Sequence, residues 1–447
     1  MEIRQSRVGD SLVLHTAGRV DTQTSEAFQT ELLAAVTDGG ADLIIDFAQV
    51  EYISSAGFRV LMTAARRMPK DRRIAVVALN DVVRELFAIA RFHHVIPVFG
   101  SLADAATAWT AEPQQQEDLQ TSPPDTAPIR VHFWGTRGSL PTPLGQGAVR
   151  GKIRDALLAA HARGLPSAEA VDAFIDRELP FSVRGTFGGN TSCVEIATGG
   201  DEYVVCDLGS GLREFGNHQL TQHGPGRKAI YNVFMSHVHW DHIMGFPFFT
   251  PAYIPGNTIR IHGCHDVMEQ ALRIQQSAPC FPVDFDALGA SIEFVQLKPG
   301  VASQVAGLSV VPIKQRHSGD SYGYRFSRDG KSVVYSTDGE HKIDAISPSD
   351  PFVEFYREAD ILIFDAMYSL AESVSVKEDW GHSSNMVAVE LAQLARVKQL
   401  VLFHHEPVFD DRTIERVLVE TIRFEELSRN DHKVEVVSAF DGLELII

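Results

Sequence analysis

Four side chains able to hold metal, His237, His239, Asp241 and His242, fall within six residues of the segment MSHVHWDHIMGF. Imidazole nitrogen suits Zn and related divalent cations, and a carboxylate adds negative charge and accepts harder ions. The apolar run Tyr231–Met235 just ahead of them reads as a buried strand. Four such groups cannot all face one way on a strand or a helix. On a tight loop they can converge on two adjacent cations, His237 and His239 on one, Asp241 and His242 on the other. The bland alternative is a chance cluster in a chain with 18 His, but the order H-x-H-x-D-H is far more restrictive than His enrichment.

That string resembles the second motif of the metallo-β-lactamase superfamily, and the superfamily's other motifs have counterparts here in the same order, each after a β-like run. EYVVCDLGSGL supplies Asp207, IKQRHSGDSYGYRF supplies His317, SVVYSTDGE supplies Asp338, and QLVLFHHEP supplies His404. The resemblance implies an αββα sandwich with the metals at one edge of its two sheets. It implies His237, His239 and His317 around one divalent ion, Asp241, His242 and His404 around a second, and Asp338 bridging both. Zn is the first expectation for the pair and Mn the alternative. Paired cations about 3.5–4 Å apart can supply hydroxide near neutral pH, and Asp241 is counted with the residues that carry that chemistry. Asp207 is expected to orient a ligand rather than bind. His404 and His405 cannot both enter the site from one strand end, since successive side chains diverge; His404, the first past LVLF, is the expected ligand.

Further strings, VHFWGTRGSLPTP, FGGNTSCVEI and WGHSSNMVAVELAQLARVKQLVLFHHEP, resemble the ribonuclease Z and phosphonate-pathway phosphodiesterase side of the superfamily. There an extra His lies beside the scissile phosphate. The matching residue is His382, which could stabilise developing charge or protonate the leaving oxygen, with Asp365 of LIFDAMY as its acidic partner. The structural alternative for His382 is a polar residue ahead of the helical pattern Met386–Arg396. The chain departs from these relatives too. It lacks the low-complexity arm with which ribonuclease Z grips transfer RNA. Its four cysteines, Cys193, Cys206, Cys264 and Cys280, have no C-x-x-C spacing, so an additional structural zinc is not expected. A helical insertion at about 147–184 stands between GSLPTP and GGNTSC, as a lid, a docking surface or an ornament.

Residues 1–110 are a different object. Apolar strands alternate with amphipathic helices, which predicts a small α/β domain with one helical layer on a sheet. GRVD, DFAQVEYISSAGFRVL and LNDVVRELFAIARF resemble the STAS domain of anti-sigma-factor antagonists. In those proteins a Ser opening the helix after the second strand pair is phosphorylated by a kinase that doubles as the anti-sigma factor. The matching residue is Ser55, with Ser54 where the family carries Asp. Phosphate there would add about −1.5 to −2 charges beside a recognition surface, so an anti-sigma-type kinase or another switch protein is the implied partner. Either serine also suits an N-cap for its own sake.

Between these parts, residues 111–128 (AEPQQQEDLQTSPPDTAP) have too little apolar surface to offset ordering entropy, and read as a flexible linker before a hydrolase domain over 129–447. Of the formal charge of −18, −2 falls on residues 1–110 and −4 on 111–128, leaving −12 for 129–447. Such acidity opposes long polyanions, whose binding relies on Lys and Arg; it favours a small phosphodiester, a cyclic nucleotide for example, over structured RNA. The opening MEIRQSRVGD is no apolar leader, no run reaches the length of a membrane span, and unpatterned cysteines fit a reducing cytoplasm, with oligomers left open. Two rivals remain: thioester or lactone cleavage on the same fold, and a non-catalytic binding platform.

Overall fold

In the strand ILIFD all five positions are buried, and in QLVLF four of five are; strands of that kind need cover on both faces. The computed structural model describes every residue except 10, 22, 39–40, 70–71, 90–91, 93–94, 111–127, 165–166, 225, 342–346, 348, 367–380 and 430. The chain divides into two units, Met1–Thr121 and Ser122–Ile447. All but residue 128 of the expected linker lies outside the described residues.

The first unit has one sheet in sequential order, β1 (Glu2–Val8), β2 (Ser11–Val20), β3 (Leu43–Ile53), β4 (Ile74–Val77) and β5 (Val98–Phe99). β1 pairs antiparallel with β2, and the rest are parallel. Helices Ser25–Asp38, Ser55–Arg67 and Asp81–Ile89 send Phe28, Leu32, Leu61 and Phe87 against Leu14, Ile45 and Phe47 on one face. The alternation predicts a single helical layer, and that is corrected here. Helix Leu102–Thr110 covers the opposite face, where Ala105 and Leu102 meet Val13, Ile44 and Val77. Val13 alternates with Leu12 and Leu14, and Ile44 with Leu43 and Ile45, so apolar residues stand on both faces and both need cover.

The second unit has two seven-stranded sheets. One runs β11 (Ser291–Gln296), β10 (Thr258–Gly263), β9 (Ile230–Phe234), β8 (Glu202–Cys206), β7 (Cys193–Ala197), β6 (Arg130–Gly135) and β19 (Glu444–Ile446). The other runs β12 (Ser303–Val305), β13 (Leu308–Gln315), β14 (Ser321–Arg328), β15 (Lys331–Ser336), β16 (Ile361–Asp365), β17 (Gln399–Phe403) and β18 (Glu435–Ser438). Phe133, Val194, Cys206 and Phe234 of the first meet Phe326, Tyr335, Ile363 and Phe403 of the second between the sheets. The alternate residues Leu362, Phe364, Leu400 and Leu402 face outward onto Val387 and Leu391 of helix Asn385–Leu394. On the other outer face Tyr231 and Val233 pack on Leu212 and Phe215 of helix Gly211–His223. The four layers follow directly from this two-sided burial, and Phe403→Ala between the sheets would cost about 3–5 kcal/mol.

β8 and β9 are parallel in one sheet, as are β15 through β18 in the other, so the carboxyl ends of the two strands lie together at one edge of their sheet, and those of the four at one edge of theirs. Between β6 and β7 lie helices Gln146–Arg163, Ala168–Arg177 and Phe181–Arg184. The first of them has no buried residue; Lys152 anchors it to the carboxylate of Asp411 at 2.6 Å.

Candidate metal centre

Every expected metal ligand comes shortly after the carboxyl end of a strand. Asp207 comes after β8, His237 and His239 after β9, Asp241 and His242 in the short helix Trp240–Ile243 that follows, His317 after β13, Asp338 after β15, and His404 after β17, while Asp365 ends β16 and His382 lies ahead of helix Asn385–Leu394. Three of them, Asp207, Asp338 and His404, hold left-handed backbone with φ of 62°, 52° and 60°. Such conformations cost about 1–3 kcal/mol each for residues with a Cβ and persist at sites where surrounding structure imposes them. Here the turn aims each side chain along the rim instead of letting the strand continue.

His237, His239 and His317 offer ring nitrogens within 4.8 Å of one another, and so do Asp241, His242 and His404 with Oδ and ring nitrogens. Asp338 lies between these triads. Its Oδ1 is 3.3 Å from His242 Nε2 and 3.4 Å from His404 Nε2, while Oδ2 is 3.7 Å from His237 Nε2 and 3.8 Å from His317 Nε2. Each carboxylate oxygen therefore addresses one triad.

The hydrogen bonds behind the cluster fix which ring atoms face it. Asp207, fully buried, lies 2.7 Å from His242 Nδ1 and accepts from the Ser236 amide, the Ser236 hydroxyl and the Tyr335 hydroxyl, each at 2.7 Å. With its proton directed at Asp207, His242 turns the Nε2 lone pair to the centre. Ser236 Oγ, its own proton given to Asp207, lies 3.0 Å from His237 Nδ1 and can accept from it. His317 Nδ1 donates to the Gly381 carbonyl at 2.9 Å. Inside the cluster, by contrast, ring nitrogens and carboxylate oxygens crowd together. His242 Nε2 and His404 Nε2 are 3.3 Å apart, Asp241 Oδ2 is 3.2 Å from each, and His237 Nε2 is buried with no hydrogen-bond partner among the described residues. Convergent nitrogen and carboxylate groups of this kind could hold a cation, and the N/O donor set suits divalent metals such as Zn or Mn. Burial opposes charge on Asp241, but His242 beside it and hydrogen bonds with His242 and His404 hold its carboxyl below the usual range. The Ser139 amide donates to the same carboxylate at 2.7 Å.

His382 stands at the rim of the cluster. Its Nδ1 is 2.7 Å from Asp365 Oδ2, and its ring lies 5.1 Å from that of His404 and 5.2 Å from that of His317. Burial pushes this imidazole toward neutrality; the Asp365 carboxylate outweighs it and lifts the pKa to about 9. His405 faces away, its Nε2 2.8 Å from the Ala439 carbonyl. Asp207 and Asp365 lie behind His242 and His382, not at the centre.

Sequence reasoning overlooked Ser236, Tyr335, Ser139 and Gly381. Ser236 directly precedes the first His, and Gly381 directly precedes His382; each could have been noticed as a small residue at a point of close approach. Two further glycines let the turns meet, since a Cβ on Gly245 would stand 2.0 Å from the Gly209 carbonyl oxygen. In the first unit, Ser55 is the first residue of helix Ser55–Arg67 and Ser54 takes the N-cap position. Ser54 makes no side-chain cap hydrogen bond, and its hydroxyl is buried without a partner among the described residues. Among the described residues no helix is long and apolar enough to cross a membrane.

Residues 202–405 match the model of the beta-lactamase superfamily domain, and residues 3–98 that of the Mlab, STAS domain. Ribonuclease Z of Thermoplasma acidophilum is 25% identical over 342 residues, which cover 66% of this chain and 92% of that protein. BtrV of Bordetella bronchiseptica, described as a candidate anti-sigma factor antagonist, is 31% identical over 116 residues, 26% of this chain and 100% of BtrV. Among solved structures, the metallo-beta-lactamase fold protein YhfI of Bacillus subtilis aligns with a TM-score of 0.47 and 17% identity, over 72% of this chain and 100% of its own.

Proposed function

Because the chain is a STAS domain fused to a metallo-β-lactamase-fold domain, we propose that it is a metal-dependent phosphodiesterase whose partner contacts are made by the STAS domain. The substrate is a small phosphodiester, with a cyclic nucleotide as the first candidate. His237, His239 and His317 hold one divalent cation, Asp241, His242 and His404 a second, and Asp338 serves both. Zn fits this donor set, with Mn as the alternative. Bound there, the cations supply positive charge opposite phosphoryl oxygens and lower the pKa of water toward neutrality.

The remaining work belongs to the protein. Asp207 keeps His242 in the tautomer that directs Nε2 inward. Asp241, bound by the Ser139 amide, stays anionic. His382, held cationic by Asp365, places a proton donor and a positive charge where the leaving oxygen departs. The His382–Asp365 pair is the observation that carries the reading. A thioester expels a thiolate that leaves readily without a proton, whereas a departing alkoxide needs one, and the positive charge on His382 suits phosphoryl oxygens. On the STAS domain, Ser55 is the phosphorylation site, and an anti-sigma-type kinase or related switch protein is the partner.

One experiment decides the class. The metal-loaded protein is offered bis-p-nitrophenyl phosphate, an acyl thioester and a lactone side by side. Turnover of the phosphodiester alone supports the assignment; preferential turnover of either carbonyl substrate overturns it.

A further inference from the structure

We propose that the cleft beside the metal loop is a nucleoside subsite, in which a flat aromatic base, joined through its sugar to the scissile phosphodiester, stacks on Trp240 and Phe248. The inference rests on the phosphodiesterase reading and adds where a nucleoside would bind and which side chains would receive its base. Of the described Phe, Tyr and Trp side chains, only Trp240 and Phe248 are exposed, at 70% and 59%. Both line a single cavity of about 760 Å³, within the span of about 300–1,000 Å³ usual for small-molecule sites. Chance exposure of single apolar residues is ordinary, but two large rings left bare on one concave wall mark a ligand surface.

The position of each ring is set by the sequence. Trp240 stands between His239 and Asp241, so the metal cluster and the cavity share one loop. In the run FPFF, Phe246 and Phe249 are fully buried while Phe248 is left outside. Packing is thus satisfied by two of the three rings. Phe281 meets Phe248 edge to face at 5.6 Å, fixing its plane, and Met244 adds a polarisable floor beside them. Polar groups share the lining: Asn190, and Arg213, whose guanidinium lies 3.8 Å from Glu214 with its side chain 64% exposed. An alkyl or lipid chain gains little from a wide cleft with a cationic wall, whereas a base uses both the ring faces and the polar edge. A long polynucleotide is opposed by the net charge of −12 over residues 129–447.

Calorimetric titration of the metal-loaded full chain tests the subsite without turnover. AMP should bind about ten- to a hundredfold more tightly than ribose 5-phosphate, as expected for one stacked base. Phe248→Ala and Trp240→Leu should each shrink that ratio, with metal content measured in parallel. Equal affinities for AMP and ribose 5-phosphate, or a preference untouched by both substitutions, overturn the subsite. A kinetic arm compares thymidine 5′-(p-nitrophenyl phosphate) with methyl p-nitrophenyl phosphate, which share a leaving group. A higher kcat/KM for the thymidine ester supports the subsite, and equal values count against it. If neither ester turns over while AMP still outbinds ribose 5-phosphate, the phosphodiesterase reading falls and the subsite stands.

Discussion

The carbonyl of Gly381 accepts from Nδ1 of His317 at 2.9 Å, and a Cβ placed on Gly381 would stand 2.2 Å from that same nitrogen. The contact therefore requires glycine twice, for the approach and for a φ of 87°. Gly381→Ala should displace the His317 ring and lower the occupancy of the all-imidazole cation site, with kcat/KM falling about 10–100-fold, as is usual when a partner that orients a ligating His is lost. Elemental analysis checks the first effect. Full metal content with unaltered turnover would show that the His317 orientation does not depend on this carbonyl.

Asp338 divides its two oxygens between the triads, so its loss should be felt by both. Asp338→Ala should cost both cations, while His317→Ala should weaken one. Metal stoichiometry after exhaustive dialysis separates the two variants. Equal, single-site losses would deny Asp338 its bridging role.

His382 contacts Asp365 and lies outside both triads. His382→Ala should retain near-normal metal content and lose about 10²–10⁴ in kcat on a phosphodiester. If metal is lost instead, His382 belongs to the ligand set; if neither changes, it is structural.

The rim was largely legible from sequence because Asp207, His237 and His404 come at or just past the end of an apolar run, and a strand end is a fixed place in a sheet. His404 was separable from His405 for the same reason: the first residue past β17 turns to the centre with positive φ, and the second continues toward Ala439. What stayed hidden depends on contacts distant along the chain. Tyr335 reaches Asp207 across 128 positions, and inside the run SVVYS its hydroxyl looks like any core tyrosine. The second helical face of the STAS sheet was missed because helix Leu102–Thr110 carries few large apolar residues, and Ala105 gives little sign of being core.

Stability should fall with acid through histidines outside the cluster. Burial pushes His262 down to about 4 and His341 to about 3. His341 packs on Phe352 with ring centroids 4.5 Å apart, and His262 stacks on Phe234 at 4.7 Å. Both pKa values lie below the unfolded value, so the neutral rings contribute stability that is complete above about pH 6.5. That stability drains as pH falls toward 4 and then 3, because the unfolded chain takes up protons that the folded one refuses. Each group should cost about 1.4 kcal/mol per pH unit in that window. His341→Leu should flatten the decline between pH 6.5 and 4 when denaturation midpoints of variant and parent are compared at equal metal loading. Parallel pH profiles would contradict the assignment.

Ser55 is the remaining switch candidate, and its place at the start of helix Ser55–Arg67 sets the expected response. Ser54, at the N-cap, does not use its hydroxyl as a cap, so the serine pair is not explained by capping through Ser54. A phosphate on Ser55 would sit where helix amides favour negative charge; it would not melt the helix, and would act by changing the charge of the surface a partner reads. Ser55→Asp should therefore abolish a complex with an anti-sigma-type kinase, and Ser55→Ala should keep it while resisting phosphorylation. Turnover of a small phosphodiester should differ little between the two variants, because a tether with the composition of residues 111–128 favours recruitment over a direct allosteric change. Co-purification with phosphosite mapping and parallel kinetics tests all three statements. Phosphate confined to Ser54, or a complex indifferent to both substitutions, would remove Ser55 from the switch, and a large difference in turnover would show that the two domains are coupled directly.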